Sequence, residues 1–400
     1  MPGVYPFRGV GFSENIKIDN VIAPPYDVID EDYRQKLKSS DEHNIVRIIL
    51  PDSYEGAKDL MNSWLKDNTL KFDKQCSFYI YTCEYELEGK IGFAKGFLGA
   101  LKLEELGEHI KPHEKTLKGP KIDRFNLITK TNAMFCPIMS FYSGENLPIN
   151  SLIDKIIVQR KPDISAKLSN AVHKIYKIDD ADDILTIKSA ISDKNVIIAD
   201  GHHRYETALM IQKYYNDKGI KNGGFDYIMT LFIDSDSGGL ALLPIHRVVK
   251  KVDNFPLFLD RLKKYFDITE GRQNADFVMY HNKKFYSLKL NFERTGDILD
   301  RTDVRIFEKY VYEDVLSLSL EDIKNQKITG YANSQEEVVD MVDKHKAEVG
   351  FIMHPMSYGE LTKIVNSGLT VPQKSTFFYP KIPSGLVAYH FDSIKGCNNV

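Results

Sequence analysis

The chain is short of cysteine, of long apolar runs and of net charge, and each shortage excludes something. Its four cysteines, Cys76, Cys83, Cys136 and Cys397, are scattered and form no C-x-x-C pair. That spacing argues against a zinc ribbon or a disulfide framework, and the expectation is buried free thiols in a reducing cytosol. No stretch approaches the roughly 18 consecutive apolar residues of a membrane-spanning helix. The opening MPGVYPFRGV lacks the apolar core and small-residue cleavage site of a secretory signal. The reading is cytoplasmic, with no membrane partner. Basic and acidic residues number 53 and 56, leaving a net charge of −3. Without a basic excess a dedicated duplex-binding surface is not expected, so nucleic acid is set aside as a partner, although local basic clusters can still hold phosphates. Neither a Walker loop nor a kinase-type glycine-rich loop is present. Internal repeats and low-complexity segments are absent too, and nothing speaks to oligomeric state.

What is there suits a folded protein of two or three domains: 400 residues, 42% hydrophobic and 27% charged. VIAPPYDVID opens on an extended path forced by Pro24 and Pro25, with Tyr26 and Asp27 at a bend. EDYRQKLKSS reads as a helix, and NIVRIILP as a buried strand stopped by Pro51. Ala57, Leu60, Met61, Trp64 and Leu65 fall on one face of a helix capped by Asp52 or Ser53. CSFYIYTCEYEL and IGFAKGFLGALKL pair as a hairpin across EGK. PKIDRFNLITK predicts a helix with Pro120 in its first turn and Ile122, Phe125 and Ile128 inward. A second hairpin is expected from DYIMTLFI to LALLPIHRVV. Ser334 and Glu337 form a capping box ahead of Val338, and VGFIMHP follows as a strand. The class is α/β (mixed α+β), with antiparallel hairpins. The expected division is a core over 1–250 and a C-terminal α/β region over 251–400 packing back on it.

Three places concentrate chemistry. In NVIIADGHHRYETALMIQKYY, the strand VIIA ends in Asp200-Gly201-His202-His203-Arg204 and a helix follows, closed by Gly219. A strand-to-helix corner offers backbone N–H groups and the positive end of the helix dipole, both favourable to an anion. Gly201 allows close approach, and Arg204 either forks onto phosphate oxygens or pairs with Glu206 or Asp200. Adjacent His202 and His203 cannot share one metal, and the H-E-x-x-H spacing of zinc hydrolases is missing. In IKPHEKTLKGPKIDRFNL, Lys111, Lys115, Lys118, Lys121 and Arg124 bracket Glu114 beside His113. The segment is either a polyphosphate grip with a proton acceptor or a solvated basic loop. In VPQKSTFFYPKIPSGL, Lys374, Ser375 and Thr376 either line a site or close the last strand.

APPYDVI, PHEKT…GPKIDR, IADGHHRYETA, LLPIHRVV and PQKSTFFYPK…GL, in that order, resemble a large prokaryotic family. It is the domain-of-unknown-function family numbered one thousand and fifteen, and the resemblance spans almost the whole chain. The Asp-Gly-His-His-Arg corner is also similar to a wider superfamily of ParB-type nucleotidases, sulfiredoxins and free-serine kinases, which implies a ParB/sulfiredoxin-like nucleotide-binding core. Sulfiredoxins carry a cysteine where His202 stands, so sulfinic-repair chemistry is not implied. ParB proteins follow the turn with DNA-binding helices, and no basic recognition helix follows here.

The free-serine kinase branch remains, and its His-Glu pair is matched by His113-Glu114. The resemblance implies transfer of a phosphoryl group from ATP or ADP, with Mg²⁺, to the hydroxyl of free L-serine. Glu114 would accept the hydroxyl proton, and Asp200 or His202 would orient the amino acid or the Mg²⁺, with Asp200 the metal ligand. Gly201, His203, Arg204, Lys115, Lys121 and Arg124 would hold the nucleotide. His113, Asp27, Lys374, Ser375 and Thr376 would meet the amino acid. Two other classes stand beside this one: a nucleotide-binding regulator without turnover, and a hydrolase of a phosphorylated metabolite.

Overall fold

A computed structural model describes residues 3–114, 121–144, 147–236 and 239–397. The chain folds as two compact units. The first comprises residues 1–112, 116–241 and 380–400, and the second 113–115 and 242–379. The division thus falls at Ala241 and Leu242, where the sequence reading drew it at 250, and the last 21 residues belong with the first unit. Both units mix helix and sheet, so the class is mixed α/β.

The first unit is built on a sheet of nine strands among the described residues. At its centre Tyr227–Asp234 is buried at every position, as a strand covered on both faces must be. It runs antiparallel to Lys90–Lys102 and parallel to Ile138–Tyr142. Phe78–Leu87 joins Lys90–Lys102 through Glu88 and Gly89, with φ of 50° and 74°. Two successive left-handed residues give a tight turn whose twist matches its strands, which is why this hairpin was legible. Toward the other edge lie Ile138–Tyr142, then Val196–Asp200, then Ile110–Pro112. The last two are parallel, so both chains reach the same edge of the sheet, one at Asp200 and the other at Pro112.

The helix Tyr54–Lys66 is as read: Ser53 accepts the Gly56 N–H at 3.1 Å, and Ala57, Met61 and Trp64 are buried. Several expectations fail. Val46–Ile49 is a helical turn, not a strand. Asn44 Oδ1 accepts the Val46 N–H, and Leu50 N donates to Val46 O. A short apolar run has no periodicity to separate the two, and burial on all sides decided it. In the helix Lys121–Thr131, Ile128 is buried as expected, but Ile122 is exposed and Arg124 turns inward beside Leu127 and Ile128. The second hairpin does not form. His246–Val249 belongs to the other unit, pairing with Thr329–Ala332 and Val349–Ile352. Cys76 and Cys397 are joined in a disulfide, with Cα atoms 5.5 Å apart and 321 residues apart in sequence, which corrects the free-thiol expectation for that pair, while Cys83 and Cys136 are free thiols. Pairing across that distance leaves no spacing signal.

The second unit holds a fully antiparallel six-stranded sheet among the described residues, with Phe266–Glu270 and Thr329–Ala332 at its edges. One face packs on a core that includes Val249, Phe277, Phe307, Tyr312 and Phe351. The Ser334 cap holds Gln335–Asp343, accepting the Glu337 N–H, while the Glu337 carboxylate turns back to the Asn333 N–H. No helix among the described residues is long and apolar enough to cross a membrane.

Candidate functional site

The corner after the Val196–Asp200 strand is built as its residue types demand. Gly201 has φ +92°, in the left-handed region, and caps the sixteen-residue helix His202–Asp217. A Cβ there would stand 2.8 Å from Ile138 Cγ2 and 2.9 Å from Arg204 Nε. Gly201 is therefore needed for the turn and for the arginine that crosses it. Arg204, 8% exposed, donates to the Pro137 carbonyl and, at 2.5 Å, to Asp200 Oδ2. The other carboxylate oxygen, Oδ1, takes the Lys381 ammonium. Burial alone would raise the Asp200 pKa, but Lys381 and Arg204 hold it well below the usual carboxylate range. Burial likewise opposes the charge on Arg204, and Asp200 and Asp27 more than restore it. Of the readings open to Arg204, pairing with Asp200 is the one adopted.

Around this triad the first unit gathers further groups. Tyr26, on a short turn with Asp27, has its hydroxyl pushed up to about 12 by burial, against the pull of Arg204. Arg124 stacks over the Tyr26 ring at 4.1 Å and donates to Ile49 O and Asp123 Oδ2, each at 2.7 Å. Tyr26, Arg124, Cys136 and Arg204 share the lining of a cavity of about 30 Å³ with apolar neighbours. Cys136 Sγ lies 2.6 Å from Ser384 Oγ. His202 is buried and His203 half-buried. Lys121 is paired with Glu206. Lys115 lies outside the described residues.

Asp200 is a poor magnesium ligand in this arrangement, since both its oxygens already face cations. Among the described residues no three His, Cys, Asp or Glu side chains converge on a metal position. Phosphate oxygens suit the corner better: a helix N-terminus, a lysine on a short tether and a buried guanidinium add positive potential at one point.

His113 and Glu114 belong to the second unit, and two expected residues, Thr376 and Lys374, meet them there. His113 Nε2 lies 2.9 Å from Thr376 Oγ1, and its ring stands edge-on to Phe378. Glu114 Oε2 accepts the backbone N–H of Lys374 at 3.2 Å, and Ser375 Oγ donates to Pro372 O. Lys374 thus meets Glu114 through its main chain, at φ +57°. The residue that sequence reasoning missed in the first unit is Lys381. It ends the PQKSTFFYPK block, and a lysine between two prolines was the available signal.

Residues 4–305 match the family described as "Protein of unknown function (DUF1015)", and the chain belongs to that family. No curated protein matches it. Among solved structures it is similar to a conserved hypothetical protein from Pyrococcus furiosus. Identity there is 15%, coverage 69% of this chain and 90% of that one, and the TM-score 0.36. It is similar also to a free serine kinase in complex with AMP, at 15% identity over 71% of this chain and 98% of that one, with TM-score 0.36. SbnI with a C-terminal truncation, from Staphylococcus aureus, is 14% identical over 72% and 85%, with TM-score 0.39.

Proposed function

We propose that this family member is a nucleotide-dependent kinase of a small hydroxyl compound, with free L-serine as acceptor and O-phosphoserine as product. The observation that supports the reading most is the Arg204–Asp200–Lys381 arrangement at the N-terminus of a long helix. Phosphates of ATP or ADP would be held by the backbone N–H groups after Gly201 and by Lys381, which can leave Asp200 for a phosphate oxygen. Arg204, fixed by Pro137 and Asp200, contributes field rather than a direct fork. Glu114 keeps the role of proton acceptor on the strength of the resemblance. In the transfer the serine hydroxyl oxygen bonds to the terminal phosphorus, the bridging oxygen leaves with the shortened nucleotide, and the hydroxyl proton passes to Glu114. Positioning and charge neutralisation are the greater part of such catalysis, so a covalent intermediate is not required.

Purified protein with ATP or ADP, Mg²⁺ and L-serine should yield O-phosphoserine, detected by mass spectrometry. Nucleotide binding with no turnover stimulated by any hydroxyl amino acid would favour the regulator. Release of phosphate from a phosphorylated metabolite without an acceptor would favour the hydrolase. Glu114→Gln should abolish turnover while leaving nucleotide affinity nearly unchanged, and Lys381→Ala should weaken nucleotide affinity.

A further inference from the structure

LLPIHRVV left Arg247 without a role. In the second unit this arginine is only 1% exposed and sits on the strand His246–Val249. Its Nη1 donates to Ile245 O at 2.7 Å, and the guanidinium lies over the Tyr331 ring at 4.8 Å. Among the described residues Nη2 has no hydrogen-bond partner. Two further buried groups in this unit share that state: Tyr312 Oη and Thr329 Oγ1.

The register brings the three together. Arg247 pairs with Tyr331, and Thr329 lies two residues along from Tyr331, so Arg247 and Thr329 point to one face of the sheet. Val249, two residues from Arg247, shares that face and belongs to the core cluster that includes Tyr312. Tyr312 is carried there by the π-helical segment Glu308–Val315, a wide turn of the kind often found at functional sites. Burial keeps its hydroxyl protonated. All three groups can donate. Native proteins rarely leave even one buried donor unused, and three on one face ask for an acceptor.

We propose that Arg247, Tyr312 and Thr329 form a binding site for the carboxylate of a free amino acid. The charge nearby selects among oxyanions. Glu308 acts electrostatically on both Tyr312 and Tyr331, and Glu114 on Tyr331. A phosphate dianion would meet those carboxylates as like charges. A zwitterion satisfies both signs, its carboxylate on Arg247 and its ammonium toward Glu308. Tyr331, half-buried over the guanidinium, is the ring a ligand displaces. That this amino acid is the phosphoryl acceptor rests on the kinase reading. The carboxylate site does not.

Thermal unfolding of the full chain tests the site without reference to turnover. L-serine at millimolar concentration should raise the midpoint, whereas L-serinamide, lacking the carboxylate, should not. Tyr312→Phe should leave the ligand-free midpoint unchanged yet weaken L-serine binding about tenfold, the worth of one good hydrogen bond. Thr329→Val should act in the same direction, and Arg247→Lys more strongly. If Arg247→Lys fails to fold, the other two carry the test. The site is overturned if L-serine and L-serinamide behave alike, or if Tyr312→Phe binds L-serine as the wild type does. Selective L-serine binding without O-phosphoserine would sink the kinase reading and leave the site standing. O-phosphoserine made by Tyr312→Phe with an unchanged KM for serine would do the reverse.

Discussion

Arg204 in the first unit and Arg247 in the second are both buried, at 8% and 1% exposed, but their surroundings differ in kind. Arg204 has a carbonyl and a carboxylate arranged about it, so its guanidinium is paired within the fold, on a carboxylate it shares with Lys381. Arg247 has one carbonyl and an aromatic face, and one nitrogen left over. A buried cation that is fully paired serves the architecture and sets a local potential. One that is only partly paired is held at a cost, and a ligand that completes it recovers the difference.

The contrast is sharpest under substitution. Asp200→Asn would leave Arg204 and Lys381 facing each other without a counter-charge, and removing one partner of a buried pair costs about 3–5 kcal/mol. A urea titration should show that loss, and a change below about 1 kcal/mol would erase the difference between the two arginines.

Acid tests both units through histidines that burial holds at a pKa of about 4: His173, beside Tyr81 in the first, and His246, next to Arg247 in the second. Between pH 6.5 and 4 the unfolded chain binds more protons than the folded one, so stability is full above pH 6.5 and lost as pH falls toward 4. The loss is on the order of 3 kcal/mol for each histidine. His246→Gln should flatten the second unit's share alone. The depressed carboxyl of Asp200 adds a further loss below about pH 4.

Gly201→Ala should cost about 1–2 kcal/mol for the left-handed backbone, and it should loosen Arg204, whose Nε the new methyl would crowd. Arg247→Met should change stability least, by less than about 1 kcal/mol or in the stabilising direction, because no carboxylate loses its partner. A large loss there would mean that Arg247 is a structural strut after all.

Local signals carried the parts of the fold that depend on neighbours in sequence. The Glu88-Gly89 turn, the Ser53 and Ser334 caps and the strand–Gly201–helix corner all declare themselves within a few residues. The failures were decided at a distance. Val46–Ile49 curls because burial surrounds it, and Arg124 replaces Ile122 on the inner face because Ile49 O and Tyr26 wait there. The candidate site divides in the same way. Asp200, Gly201 and Arg204 were legible as a local motif, whereas Lys381 reaches Asp200 across 181 residues and Thr329 joins Arg247 only through strand register. No periodicity reports such meetings.

The bond between Cys76 and Cys397 makes a ring of most of the polypeptide. A motor that grips the tail and draws it through a narrow pore would reach the oxidised molecule as two strands abreast, and the reduced one as a single thread. Two populations with the same fold would then differ in how quickly such machinery dismantles them, and the surrounding thiol balance would set the clock.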